Sequence, residues 1–130
     1  MTHPNEELIR KGYAAFSNGD MDTVRATFAD DIKWHISGRS FLAGDYDGLD
    51  EVFGFFAKFI SAYDRPPVFE LHDVLANDEH AVALVSADLS RNGKNRTTTA
   101  AHVFHIKDGK STEFWGHPFD AYADDEILAD

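Results

Sequence analysis

Apolar residues first recur at helical spacing. Leu8, Ile9, Tyr13 and Phe16 share one side of a helix that Pro4 opens, with Glu6 and Glu7 in its first turn, and Asn18-Gly19 ends it. Asp20 is placed to cap a second, short helix with Met21, Val24 and Phe28 on one side, closed by Asp30-Asp31. The period then falls to two. Ile32, Trp34 and Ile36 lie on one face of a short strand and Lys33, His35 and Ser37 on the other. Gly38, Gly44, Gly48, Asp45 and Asp47 read as turns, and Asp47, with Asp50 three residues on, as the cap of a third helix. In that helix Leu49, Val52, Phe53, Phe56, Phe59, Ile60 and Tyr63 fall within an arc of roughly 120°, a stripe expected to face the core. Phe55 sits at its edge, and Arg65-Pro66-Pro67 stops it. Residues 28–48 as a whole are expected to form one wall of a pocket.

The remainder reads as strands near residues 68–76, 81–91, 95–107 and 110–117, the last three joined by Asn92-Gly93 and Asp108-Gly109. Helices followed by an antiparallel meander predict an α+β domain, with the helices on one face of a curved sheet. Two-residue turns place His102 opposite Ala83 on one side and Trp115 on the other, His117 opposite Ala100, and Glu113 opposite Phe104. All would share the helix-covered face with Val85, Leu89 and Ile106. Ala83, Ala87, Thr98 and Ala100 are small, so a cavity is expected there, with His102, Trp115 and His117 converging on it. A one-residue bulge would reverse this parity.

A length of 130 residues suits one domain, 1–130. Net charge changes the picture more. At −11 the chain repels phosphate backbones and anionic lipid heads, so neither nucleic acid nor membrane is an expected partner. The absence of an 18-residue apolar run and of a basic-then-apolar N-terminus predicts a cytoplasmic protein. With no cysteine, disulfides, thiolate metal sites and thiol catalysis are excluded. The seven histidines include no His-x-His or His-Glu-x-x-His spacing, and no phosphate loop or serine elbow is present, so neither metal nor cofactor is expected.

Several motifs in order, Tyr13-Ala-Ala-Phe-Ser-Asn-Gly-Asp20, Phe28-Ala-Asp-Asp31, Trp34-His35, Ala43-Gly-Asp-Tyr-Asp-Gly48 and Asp108-Gly-Lys-Ser-Thr-Glu-Phe-Trp115 with Asp120 beyond, cover nearly the whole chain. In them the chain resembles the nuclear transport factor 2-like superfamily, close to its SnoaL-like and ketosteroid isomerase-like branch. The resemblance implies a cone-shaped α+β barrel on about three N-terminal helices, an apolar cavity, and a homodimer through the open sheet face. It implies no single activity, because relatives include isomerases, cyclases, dehydratases, epoxide hydrolases and non-catalytic modules. The isomerase's catalytic Tyr falls on Gly12 and its base on Ile36; only its late-strand donor has a polar counterpart here, His102. SnoaL-like cyclases place His and Asp groups where His102, His117 and Asp120 would fall.

His102 is therefore a candidate acid or base whose pKa burial would lower, weighed against a hydrogen-bonded core histidine. His117 and Asp120 would assist it, or lie at the surface and in a solvated acidic tail running from Asp124 to Asp130. Tyr13, Trp34, Ile36, Phe56, Ala100 and Trp115 are the expected ligand contacts, the two indoles being suited to stack on a ring. Strict alternation turns His35 away from Trp34, and Glu113 is expected to be paired or at the rim. The expected partner is a small apolar or aromatic ligand. Two functions stay open: cofactor-independent cyclisation, isomerisation or dehydration, or ligand binding without catalysis.

Overall fold

The computed structural model describes residues 2–129. Helix α1 (Pro4–Ser17) begins on His3, whose imidazole accepts from the Asn5 amide, and α2 (Met21–Ala26) begins on Asp20, whose carboxylate accepts from Thr23. Strands β1 (Phe28–Ile36) and β2 (Gly44–Asp47) precede α3 (Gly48–Ala62). Then come β3 (Glu70–Ala76), β4 (His80–Arg91), β5 (Lys94–Lys107), β6 (Lys110–Pro118) and α4 (Ala121–Leu128). The six strands form one open, mixed sheet in the order β2-β1-β6-β5-β4-β3, in which only the β1–β6 pair is parallel. This is an α+β fold whose helix-side face carries Ile32, Trp34, Val85, Leu89, Phe104 and Phe114, all buried against α1, α2 and α3. No helix among the described residues is long and apolar enough to cross a membrane.

Both hairpin turns have positive φ at each central residue, 52° and 81° at Asn92-Gly93 and 53° and 75° at Asp108-Gly109, the left-handed pair that a two-residue turn demands. Along β4 and β5 the expected register holds throughout, so His102 faces Ala83. Across β5 and β6 it holds only for Lys107↔Lys110 and Ile106↔Ser111. Thr112 is then an extra residue, and from His105↔Glu113 onward every partner is displaced by one. His102 consequently faces Gly116, Trp115 faces Val103, and His117 faces Ala101. Phe114, not Trp115, points under the helices.

Other boundaries differ for local reasons. Phe28 and Asp30-Asp31 begin β1 instead of ending α2, because Phe28 pairs with Ser111 and packs on Trp34. The glycine-punctuated loop holds a sixth strand, β2, antiparallel to β1. Asp47 occupies the cap position of α3 without a side-chain cap bond; its carboxylate takes Lys33, and its amide donates to Glu51. The expected acidic tail is helix α4, which buries Ile127 and Leu128; Asp130 lies outside the described residues.

Candidate functional site

Between the helices and the inner sheet face lies a cavity of about 180 Å³. Tyr13 and Phe16 reach it from α1, Trp34 and Ile36 from β1, and Phe56 and Phe59 from α3. Ala100 and His102 on β5 and Phe114 and Gly116 on β6 form its floor. Of the expected residues, Tyr13, Trp34, Ile36, Phe56, Thr98 and Ala100 line it, while Ala83 and Ala87 do not. Gly116 stands opposite His102, and a Cβ on it would approach Phe114 to 3.2 Å, so even alanine would crowd the floor. Helix α4 closes one end with Asp124, Asp125 and Leu128.

One polar pair stands out in these walls. The Tyr13 hydroxyl and His102 Nδ1 are 2.5 Å apart, a short hydrogen bond spanning α1 and β5. Phe69 and Phe114 set their rings edge-on to the imidazole at 5.2 and 5.0 Å, leaving it little rotational freedom. Burial, with a smaller push from nearby His117, lowers the His102 pKa to about 3. Burial likewise raises Tyr13 well above the ordinary phenol value. Both groups are therefore neutral at neutral pH, and His102 Nε2 has no hydrogen-bond partner among the described residues.

The SnoaL-like domain profile matches residues 9–114, which takes in most of α1, most of the cavity lining and both hairpin turns. The chain belongs to the SnoaL-like family, within the nuclear transport factor 2-like superfamily. An uncharacterized protein of Mycobacterium tuberculosis is 31% identical over 116 residues, 86% of this chain and 88% of its own length. Bal32a, from a soil-derived mobile gene cassette, is 32% identical and superposes with a TM-score of 0.92 over 97% of each chain. TerC, co-crystallised with polyporic acid, is 21% identical with a TM-score of 0.86 over 97% of this chain and 98% of its own, a likeness of fold.

Three expected SnoaL-like site residues lie elsewhere. The bulge at Thr112 turns Trp115 to the outer sheet face, where its ring stacks on His35 at 5.3 Å. The same displacement puts His117 outside the cavity lining, with its side chain exposed. Asp120 is exposed and accepts from the Ala123 amide at 3.0 Å, so its carboxylate is committed to capping α4. Neither group hydrogen-bonds His102.

On that outer face His35 bridges Asp45 through Nδ1 at 2.6 Å and Glu113 through Nε2 at 2.7 Å. Burial opposes the charged imidazole, but the two carboxylates outweigh it and raise the His35 pKa. Glu113 is thereby paired, with His105 Nδ1 a further 3.7 Å contact.

Sequence reasoning missed Phe69, Phe114, Asp124 and Asp125 as cavity residues. Phe114 carried one usable signal, its adjacency to Trp115 with opposite parity. Asp124 carried none. Its burial, which raises its pKa against the opposing bond from Thr98 and the charge of Arg96, depends on β5 residues distant in sequence. Among the described residues no group of three His, Cys, Asp or Glu is arranged to hold a metal ion.

Proposed function

We propose that the chain is a pocket enzyme of the SnoaL-like type, performing cofactor-independent acid–base chemistry on a small apolar ring or polyketide-like molecule. Cyclisation, isomerisation and dehydration all fit. The observation that carries this reading is the Tyr13–His102 bond in the wall of an apolar cavity. With the shared proton on Nδ1, His102 Nε2 holds a lone pair and Tyr13 keeps an O–H for a second atom. A base and a donor then stand side by side, the arrangement needed to take a proton from carbon next to a carbonyl while a hydrogen bond holds its oxygen. The ion pair that forms is more costly in a dry cavity than in water, and the Nδ1–H···O bond to Tyr13 offsets part of that cost.

A second reading, binding without turnover, is favoured by one observation: no carboxylate among the described residues hydrogen-bonds His102, so its imidazole lacks the usual orienting acid. A thermal-shift screen of flat ring compounds, polyporic acid among them, supplies binders. Turnover of each binder by wild type and by His102→Ala then separates the readings. Catalysis predicts at least a tenfold loss in the variant, whereas turnover absent from wild type or equal in both leaves binding alone.

We also propose that two copies associate through the outer sheet face, where Leu84, Ala101, Val103 and Trp115 are half-buried and Thr97 and Thr99 exposed. Sedimentation equilibrium is expected to give twice the 14.5 kDa chain mass; one species at 14.5 kDa overturns this.

A further inference from the structure

We infer that the cavity selects flat rings bearing a carbonyl oxygen, and that Trp34 Nε1–H is the donor that recognises it. The inference rests on the reading of the cavity as a small-molecule site. Trp34 lines that cavity and is 7% exposed, and its indole nitrogen is buried with no hydrogen-bond partner among the described residues. A buried donor left unmet is a standing cost to the fold, and packing here prevents the ring from turning to relieve it. The indole stacks on Phe114 with centroids 3.7 Å apart and meets Phe56 edge-on at 5.3 Å.

Three other hydroxyl donors in the lining are already committed. Thr27 donates to the Val24 carbonyl, Ser37 to the Gly116 carbonyl, and Thr98 to Asp124. The Tyr13–His102 pair shares one proton internally, which leaves it one donor and one acceptor for a ligand. Trp34 therefore adds a buried donor held among the rings of Phe28, Phe56 and Phe114. A hydrocarbon ring gains only burial there. A ring with a carbonyl gains burial and also relieves the unmet N–H, a difference that a low-dielectric wall enlarges. Site groups built to hydrogen-bond a ligand reject analogues lacking the partner atom for the same reason.

Naphthalene and 1,4-naphthoquinone differ in the carbonyl oxygens and little in shape, and a chain without cysteine offers no thiol for quinone addition. Titrating both into wild type and Trp34→Phe is expected to show quinone affinity reduced about tenfold more than naphthalene affinity in the variant. Equal losses for both ligands, or no loss for either, overturn the inference while leaving the cavity reading intact. Failure of both to bind wild type overturns the cavity reading, and the inference with it. Indole N–H resonances test the same point without substitution. The Trp34 signal should move downfield with the quinone and not with naphthalene, while Trp115, on the outer face, stays as the reference. An unmoved Trp34 signal under saturating quinone overturns the assignment.

Discussion

Phe114→Ala is expected to lower the free energy of unfolding by about 3–5 kcal/mol, while Trp115→Ala should cost about 1 kcal/mol. Large-to-small substitution at a packed site loses both the transfer free energy of the ring and the contacts around the hole it leaves. Phe114 is 3% exposed, lies flat on Trp34, and meets His102 and Phe104 edge-on. Trp115, though larger, is half-buried on the outer face against His35 and His105. Urea denaturation followed by far-ultraviolet circular dichroism measures both without relying on tryptophan emission. The order of the two losses matters more than their size. A greater loss at residue 115 would mean that β5 and β6 pair without the bulge at Thr112, and would return Trp115 and His117 to the cavity side.

Acid is expected to destabilise the protein through His102 before most carboxylates protonate. In the fold its pKa is about 3, against an ordinary value of 6.5. As pH falls below 6.5 the unfolded chain binds a proton that the folded chain refuses. The stabilisation from the neutral buried ring is therefore complete above pH 6.5 and is lost progressively down to about 3. Between pH 7 and 5 wild type should lose about 2 kcal/mol more than His102→Asn, and roughly 4 kcal/mol more by pH 3. Asparagine does not titrate and keeps a polar atom within reach of Tyr13. His35 runs the opposite way, since its raised pKa gives stability that is present below 6.5 and lost as pH rises through the folded value. It is common to both proteins and cancels in the difference. Parallel urea curves for wild type and variant across this range would place His102 in water rather than in the wall.

Where local chemistry decides the conformation, the sequence announced it. Asn92-Gly93 and Asp108-Gly109 tolerate the left-handed backbone their turns require, so two hairpins and the whole β4–β5 register could be read directly. Tyr13, Trp34 and Phe56 reach the cavity because helical and strand periodicity each fix a face. Thr112 carried no such mark. It is neither glycine nor proline, and its bulge is a property of two strands pairing, which moved Trp115 and His117 across the sheet. In α4 the acidic run at 124–126 masks two apolar residues, and the bonds that hold the helix come from β4 and β5. Lys94 donates to the Glu126 and Ala129 carbonyls, Arg91 to the Leu128 carbonyl, and Thr98 to the Asp124 carboxylate. Period counting sees none of these. The Tyr13–His102 pair, 89 positions apart, became visible only once β5 had its register.

The two outermost strands of the sheet bear on how molecules avoid one another. At one margin β2 is four residues long and carries Asp45 and Asp47; at the other, β3 is interrupted at His72 and flanks that break with Glu70 and Asp73. Short, charged or broken margins are poor templates for a seventh strand from a neighbouring chain. Cross-β stacking is thus disfavoured at both ends of the ladder, which leaves the outer sheet face, not its margins, for pairing of two copies.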